Sequence, residues 1–313
     1  MNDCRKAFFP VFAGFGLVCA LAVAAVAVWW GALNQDEGWY LYAAKMTREG
    51  FLPYRDYFFT QGPALPFVYG AFAPLWAKAG ILGGRVFTCI IGILSVFAAA
   101  FLAQVVAKEH RKAAFWTAFA LLGCNIYHVY FTTIPKTYAL GTLFLTSGFL
   151  AFAFAEKRRL ASAWAVSGLL MALASGTRIS LVLAPFVCGC ALLATFRRRR
   201  FAFLWFGLGA AAGAFLTYGI FTLDPESLEG LLAAQKYHAG RGGFDLAFTI
   251  GSVSRLTRGY LAVVAVAILT GFAGFRQDGR DSVKTFLPLA ILVSCGAVML
   301  LQLSAPFPYD DYQ

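Results

Sequence analysis

The sequence is short of charge. Only 13% of its 313 residues are Asp, Glu, Lys or Arg, while 60% are hydrophobic. Soluble domains carry about 25% charged and about 45–50% apolar residues, so no single water-facing surface can cover this composition. Lipid must solvate much of it. Other absences narrow the class. The seven cysteines form no CxxC pair and six lie in apolar runs. Neither a disulfide framework nor a zinc site is indicated, and small buried apolar residues are the plain reading. The three histidines are scattered. Strand-like alternation is missing, which argues against a β-barrel. No internal repeat is visible, so the inverted-repeat signature of many transporters is missing too.

What is present is a series of apolar runs punctuated by basic clusters. Nine runs are long enough to count as spans, at roughly 8–30, 86–107, 114–131, 138–155, 161–175, 179–196, 202–222, 259–275 and 285–303. Backbone polar groups cannot go unpaired in lipid, so these are expected to be helices. The first run follows Arg5 and Lys6 and reaches from Phe8 to Trp30. It is too long for a cleaved signal and reads as a retained signal-anchor. With the N-terminus in the cytoplasm, the inner segments hold 15 of the 26 basic residues but 5 of the 15 acids. Every inner loop is then basic, as the positive-inside rule requires. The net charge of +11 therefore reflects topology rather than a nucleic-acid partner. The Arg197 to Arg200 run belongs to the same pattern, with attraction to anionic lipid as a sufficient cause.

The expected fold is an all-α integral membrane protein, one domain over 1–313, with about nine transmembrane helices. A long, structured first outer loop (31–85) contains interfacial helices, and a second outer loop covers 224–258. The chain stops at Gln313 on Pro306-Phe-Pro-Tyr-Asp-Asp-Tyr-Gln313 without a polar tail, which points to C-terminal truncation of something longer.

The first outer loop is rich in aromatics, Pro and Gly rather than Ser and charge, so order is expected. Residues 37–49 read as a helix with Trp39, Tyr42, Ala43 and Met46 on one face, lying flat in the interface. Gly50 can end it and Pro53 forbids its continuation. The stretch 64–80, broken by Pro66 and Pro74, reads as a short helix dipping into the membrane. Asp36 and Glu37 admit two readings. Acids at a helix start are ordinary caps. Carboxylates at membrane depth beside aromatics can also serve as bases.

The stretch DEGWYLYAAKMTREGFLPYRDYFFTQGP resembles the first periplasmic loop of the GT-C glycosyltransferases. It is most similar to the bacterial branch related to protein O-mannosyltransferases and lipid A aminoarabinose transferases. The pattern is an acidic pair, an aromatic, G-x-x-P-Y-x-D, a G-P or P-P turn and an Arg at the next span. Asp36, Glu37, Tyr40, Gly50, Pro53, Tyr54, Asp56, Gly62, Pro63 and Arg85 supply it here. One departure is the neighbourhood before the turn, Thr60-Gln61, where the aminoarabinose transferases carry a second acid; either Asp56 substitutes for it or the second acid is not needed.

The resemblance implies transfer of a sugar from a polyprenyl-phosphate donor to a lipid, glycan or protein acceptor, with inversion, on the outer face of the cell's inner or plasma membrane. It implies Asp36 as general base, with Glu37 orienting it or binding acceptor. Cations must hold the leaving lipid phosphate. Arg85 carries the family match, Arg178 sits in a very short outer hairpin, and Lys136 is a third candidate; snorkelling is the ordinary alternative for each. Asp56, Asp310 and Asp311 are weaker candidates for acceptor or metal. The cofactor stays open, with a divalent cation as the candidate. Membrane lipids are expected partners. The rival readings are a transporter or lipid-carrier flippase, a non-catalytic assembly subunit, and an intramembrane protease. The first is disfavoured because ionisable residues sit at span ends rather than mid-span. The second would have lost Asp36 and Glu37, and the third lacks its constellation within the spans.

Overall fold

The computed structural model describes residues 2–107, 109–239, 246–261 and 290–299. These residues are helical apart from connections and one isolated bridge between Pro53 and Tyr57. The helices are α1 (Asn2–Trp30), α2 (Glu37–Arg48), α3 (Ala64–Ala71), α4 (Ala73–Trp76), α5 (Gly80–Val106), α6 (Arg111–Gly123), α7 (Ile126–Thr133), α8 (Thr137–Arg158), α9 (Ala161–Thr177), α10 (Leu183–Ala194), α11 (Phe196–Thr222), α12 (Pro225–Ala239) and α13 (Leu246–Gly259). A further apolar helix, α14, covers Ala290–Met299.

Four helical stretches among the described residues are long and apolar enough to cross a membrane: Ala13–Trp30, Ala73–Val106, Thr137–Arg158 and Arg199–Thr222. Their outer faces carry large exposed apolar side chains, including Phe15, Val18, Leu208, Phe215 and Leu216. Water would penalise so much exposed apolar surface, and lipid does not. The chain is a membrane protein of helical type.

Nine continuous spans are not what the described residues hold. The expected span 114–131 is two helices, α6 and α7. The Asn125 side chain accepts the backbone N–H of His128 at 2.9 Å, capping α7 and competing with a continuous helix. The run 179–196 begins as a 3-10 turn, Ile179–Val182, before α10; Pro185 is tolerated because it falls in the first turn of α10. Most of the last two expected spans lies outside the described residues.

Helices pack where side chains are small. On α9 and α11, a Cβ at Gly209 would lie 1.9 Å from the Ala165 carbonyl oxygen, and one at Gly168 would lie 2.0 Å from that of Phe206. The two backbones touch, as small residues permit in membrane bundles. The same device seats α2. A Cβ at Gly70 would lie 2.8 Å from the Ala44 oxygen, and one at Gly84 2.6 Å from the Leu41 side chain.

The helix expected over 37–49 is α2, closed by Gly50 at φ 96°, a left-handed cap that favours glycine. Glu37, Tyr40, Leu41, Ala43 and Ala44 are buried in the protein. Of the face expected to lie in the interface, Tyr42 is exposed and Ala43 is buried, so the aromatic stripe is not one uniform face. Tyr40, Leu41, Tyr54, Phe59, Leu65 and Tyr69 form one buried cluster that reaches Leu140 and Phe221. The first loop is thus a packed layer over one end of the bundle.

Candidate functional site

Two ion pairs organise the turn between α1 and α2. Glu37, with no exposed surface, receives Arg85 from α5 in a fork: Nε to Oε2 at 2.7 Å and Nη2 to Oε1 at 2.6 Å. Arg85 also donates to the carbonyls of Val28 (3.3 Å), Gly31 (2.9 Å) and Ala32 (3.0 Å). A guanidinium has five N–H donors, and all five are engaged within the protein. Three of the acceptors are carbonyls at and just beyond the end of α1, where helix carbonyls lack intrahelical partners; the Tyr130 hydroxyl also donates to that of Ala32, at 3.3 Å. The sequence-derived role for Arg85 was a grip on phosphate; the geometry leaves it no donor for one.

The second pair is Lys136 Nζ to Asp36 Oδ2 at 2.9 Å. The Lys136 side chain is 3% exposed and that of Asp36 is 43% exposed, so the pair has a dry end and a wet end. The chain delivers Lys136 here for local reasons. Pro135 keeps Ile134 extended (φ −76°, ψ 134°), ending α7, and Lys136 is itself extended as the residue before α8. On the other side, Asn34 Oδ1 accepts the Asp36 N–H at 3.1 Å while Glu37 accepts that of Asn34 at 2.8 Å. Asp36 is therefore held in a short turn from both ends.

Arg178 joins from the end of α9. Its guanidinium lies 5.0 Å from the centre of the Tyr138 ring, and the Lys136 ammonium lies 6.0 Å from the same ring. Aromatic faces attract cations. Arg178 is buried, at the short connection where α9 hands over to the 3-10 turn. The Gly62-Pro63 turn fixes this corner: a Cβ at Gly62 would lie 2.1 Å from the Gly176 oxygen, and one at Gly176 2.1 Å from the Thr217 side chain. The turn sits directly on the backbone preceding Arg178.

Asp36, Glu37, Arg85, Lys136 and Arg178 thus belong to one corner of the fold. Asp56 does not join their ion pairs. It accepts from Arg55 and from the Leu52 N–H (2.7 Å). The Arg55 side chain first, then that N–H, holds its carboxyl below the usual carboxylate range. Tyr54 beside it adopts φ 72° and is buried, its hydroxyl bonded to the Gln61 carbonyl. Burial pushes the Tyr54 phenol up, so it acts as a fixed donor. Helix α12 closes over this stretch, since a Cβ at Gly230 would lie 2.1 Å from the Tyr54 carbonyl oxygen.

Asp310 and Asp311 lie outside the described residues. Among the described residues, no group of three or more His, Cys, Asp or Glu converges as a metal ligand set would. Asp36 and Glu37 face cations instead, so the described donor set does not suit a divalent ion. Two contributors were missed in the sequence. Tyr138 follows Lys136 by two positions, and the P-K-T-Y order was its only signal. Asn34 precedes Asp36 by two, the spacing of an Asx turn.

Comparison with protein-family models, with curated proteins and with solved structures found no match to this chain.

Proposed function

We propose that the chain is a membrane glycosyltransferase of GT-C type. It moves a sugar from a polyprenyl-phosphate donor to a lipid, glycan or protein acceptor, with inversion. In this reading the N-terminus is cytoplasmic, the bundle has about nine spans, and the site opens on the outer face of the inner or plasma membrane. The resemblance of the first loop and the positive-inside charge pattern support it. The observation that carries it is the half-exposed Asp36 carboxylate held against the buried Lys136, with Arg178 on the same tyrosine ring.

The chemistry follows from those positions. The acceptor hydroxyl attacks the anomeric carbon on the face opposite the phosphate and gives its proton to Asp36. The carbon–oxygen bond to the phosphate breaks through an oxocarbenium-like transition state, and the electron pair leaves with the polyprenyl phosphate. The Lys136 ammonium holds Asp36 and supplies positive charge on the side where the phosphate leaves. Arg178 offers a second charge-assisted contact. Glu37 and Arg85 are positioning residues that hold the α1–α2 turn. Asp56 shapes the neighbouring loop.

The test is transfer of radiolabelled sugar from a panel of polyprenyl-phosphate donors to a membrane extract, using full-length protein in native lipid. Transfer by the wild type and its near-total loss in Asp36→Asn, assayed well below the unfolding midpoint of both proteins because the variant leaves the buried Lys136 without its carboxylate, is the expected result. Transfer by both would remove Asp36 from the base role. Silence of the wild type with every donor, together with donor-independent lipid movement across vesicles, would replace the proposal with a flippase.

A further inference from the structure

At the opposite end of the bundle lies a cavity of about 610 Å³ that the proposed transfer reaction does not use. It opens where α8 ends, α9 begins and α11 bends. Arg199 has non-helical dihedrals inside α11 (φ −132°, ψ 24°), and the bend swings its side chain onto Glu156 of α8. The two form a double contact, Nη2 to Oε1 at 2.6 Å and Nη1 to Oε2 at 2.8 Å. Their charges cancel. Lys157 and Arg159 line the same cavity, and among the described lining residues Glu156 is the one acid. Arg159 caps α8 in the left-handed region at φ 54°, a conformation that costs a non-glycine residue free energy. The cost is retained at the position that brings a guanidinium to the cavity rim.

The rest of the lining is apolar and aromatic. Trp164 is buried at its floor, while Trp205 and Phe201 stand exposed at its edge. Arg200 stacks on Phe201 at 5.0 Å. The volume falls within the range of ligand pockets, about 300–1,000 Å³. Two excess cations above a Trp-lined slot, at the end of two membrane-length helices, match a phosphate attached to acyl chains. Basic pockets between membrane helices bind such headgroups, and Trp favours the headgroup level.

We propose that this cavity binds one anionic phospholipid of the adjoining leaflet, its phosphate on Lys157 and Arg159 and its glycerol and upper chains against Trp164 and Trp205. The ion pair between Arg199 and Glu156 forms the wall that keeps α8 and α11 apart at this end. The site is independent of the transfer reading, because the readout is lipid retention rather than sugar transfer.

The experiment is native mass spectrometry of the full chain released from nanodiscs of phosphatidylglycerol, phosphatidylcholine or a mixture, with inorganic phosphate as a separate arm. Wild type should retain one phosphatidylglycerol in preference to phosphatidylcholine. The double variant Lys157→Gln, Arg159→Gln should bind it roughly 25-fold more weakly, about fivefold for each cation removed. Equal retention of both lipids by the wild type would overturn the proposal without recourse to any variant. So would unchanged retention in the double variant, or full displacement of the lipid by inorganic phosphate at equal phosphorus concentration.

Discussion

Replacing Arg85 by Met should be the most damaging single change in the first loop. The substitution removes the fork on Glu37 and one donor from each of the Val28, Gly31 and Ala32 carbonyls. Glu37 has no exposed surface, so its charge is left in the interior with the Asn34 N–H at 2.8 Å as the remaining hydrogen bond described for it. Removing one partner of a buried pair costs about 3–5 kcal/mol. At about 2–4 °C per kcal/mol for a mid-sized domain, the midpoint of thermal unfolding should fall by about 6–20 °C. The assay is nanodisc-embedded protein heated with tryptophan fluorescence as readout, alongside Glu37→Gln and the double variant. The double variant should lose less than the sum of the single variants, because it leaves no orphan charge. A loss under about 2 °C for Arg85→Met, or strict additivity, would refute the pairing.

The remaining expectations are narrower. Lys136→Met should leave Asp36 without its ammonium and lower sugar transfer by about 100-fold or more, with a smaller fall in midpoint than Arg85→Met because Asp36 keeps access to water; equal transfer would remove Lys136 from the site. Gly62→Ala places a methyl 2.1 Å from the Gly176 oxygen and should cost about 1–3 kcal/mol of stability, read as a lower midpoint; a neutral result would deny that contact. Burial pushes the Tyr57 phenol up to about 12 from an ordinary 10.0. A proton held more tightly when folded gives stability that is complete below pH 10 and lost as the pH rises through about 12, so Tyr57→Phe should flatten the midpoint's decline across that window. Gly209→Ala, whose methyl would meet the Ala165 oxygen at 1.9 Å, should separate α9 from α11 and lower the midpoint without a specific effect on donor binding.

Much of the candidate site was legible because charge is scarce. In a chain with so few ionisable residues, those near the ends of apolar runs must find each other or water, which singles out Asp36, Glu37, Arg85, Lys136 and Arg178 in the sequence. Their pairing was not legible. Whether Arg85 meets Glu37 or a ligand depends on the rotation of α5 and α2 about their axes, which an apolar run does not encode. The same rotation explains why Tyr42 faces out and Leu41 in. Asp56 was separated from the group by its immediate neighbour Arg55, a local contact that outcompetes distant partners. The break between α6 and α7 was hidden because Asn125 sits in an otherwise apolar stretch, and one capping side chain outweighs the hydropathy around it. The all-helical character was readable from composition and run length, since lipid leaves the backbone few alternatives.

The contact of Gly62 on Gly176, and of Gly176 on Thr217, has a consequence for how this corner can change. Its thickness is set by peptide groups in direct touch, not by rotamers, so it behaves as a gauge block between the first loop and the end of α9. Side chains around it can be exchanged while the span from loop to Arg178 stays constant. If the proposed transfer requires motion to admit its donor, that motion falls to segments not locked by peptide contact, such as the junction of α6 and α7 that Asn125 interrupts. A substitution that alters the lining of the corner then need not disturb its spacing.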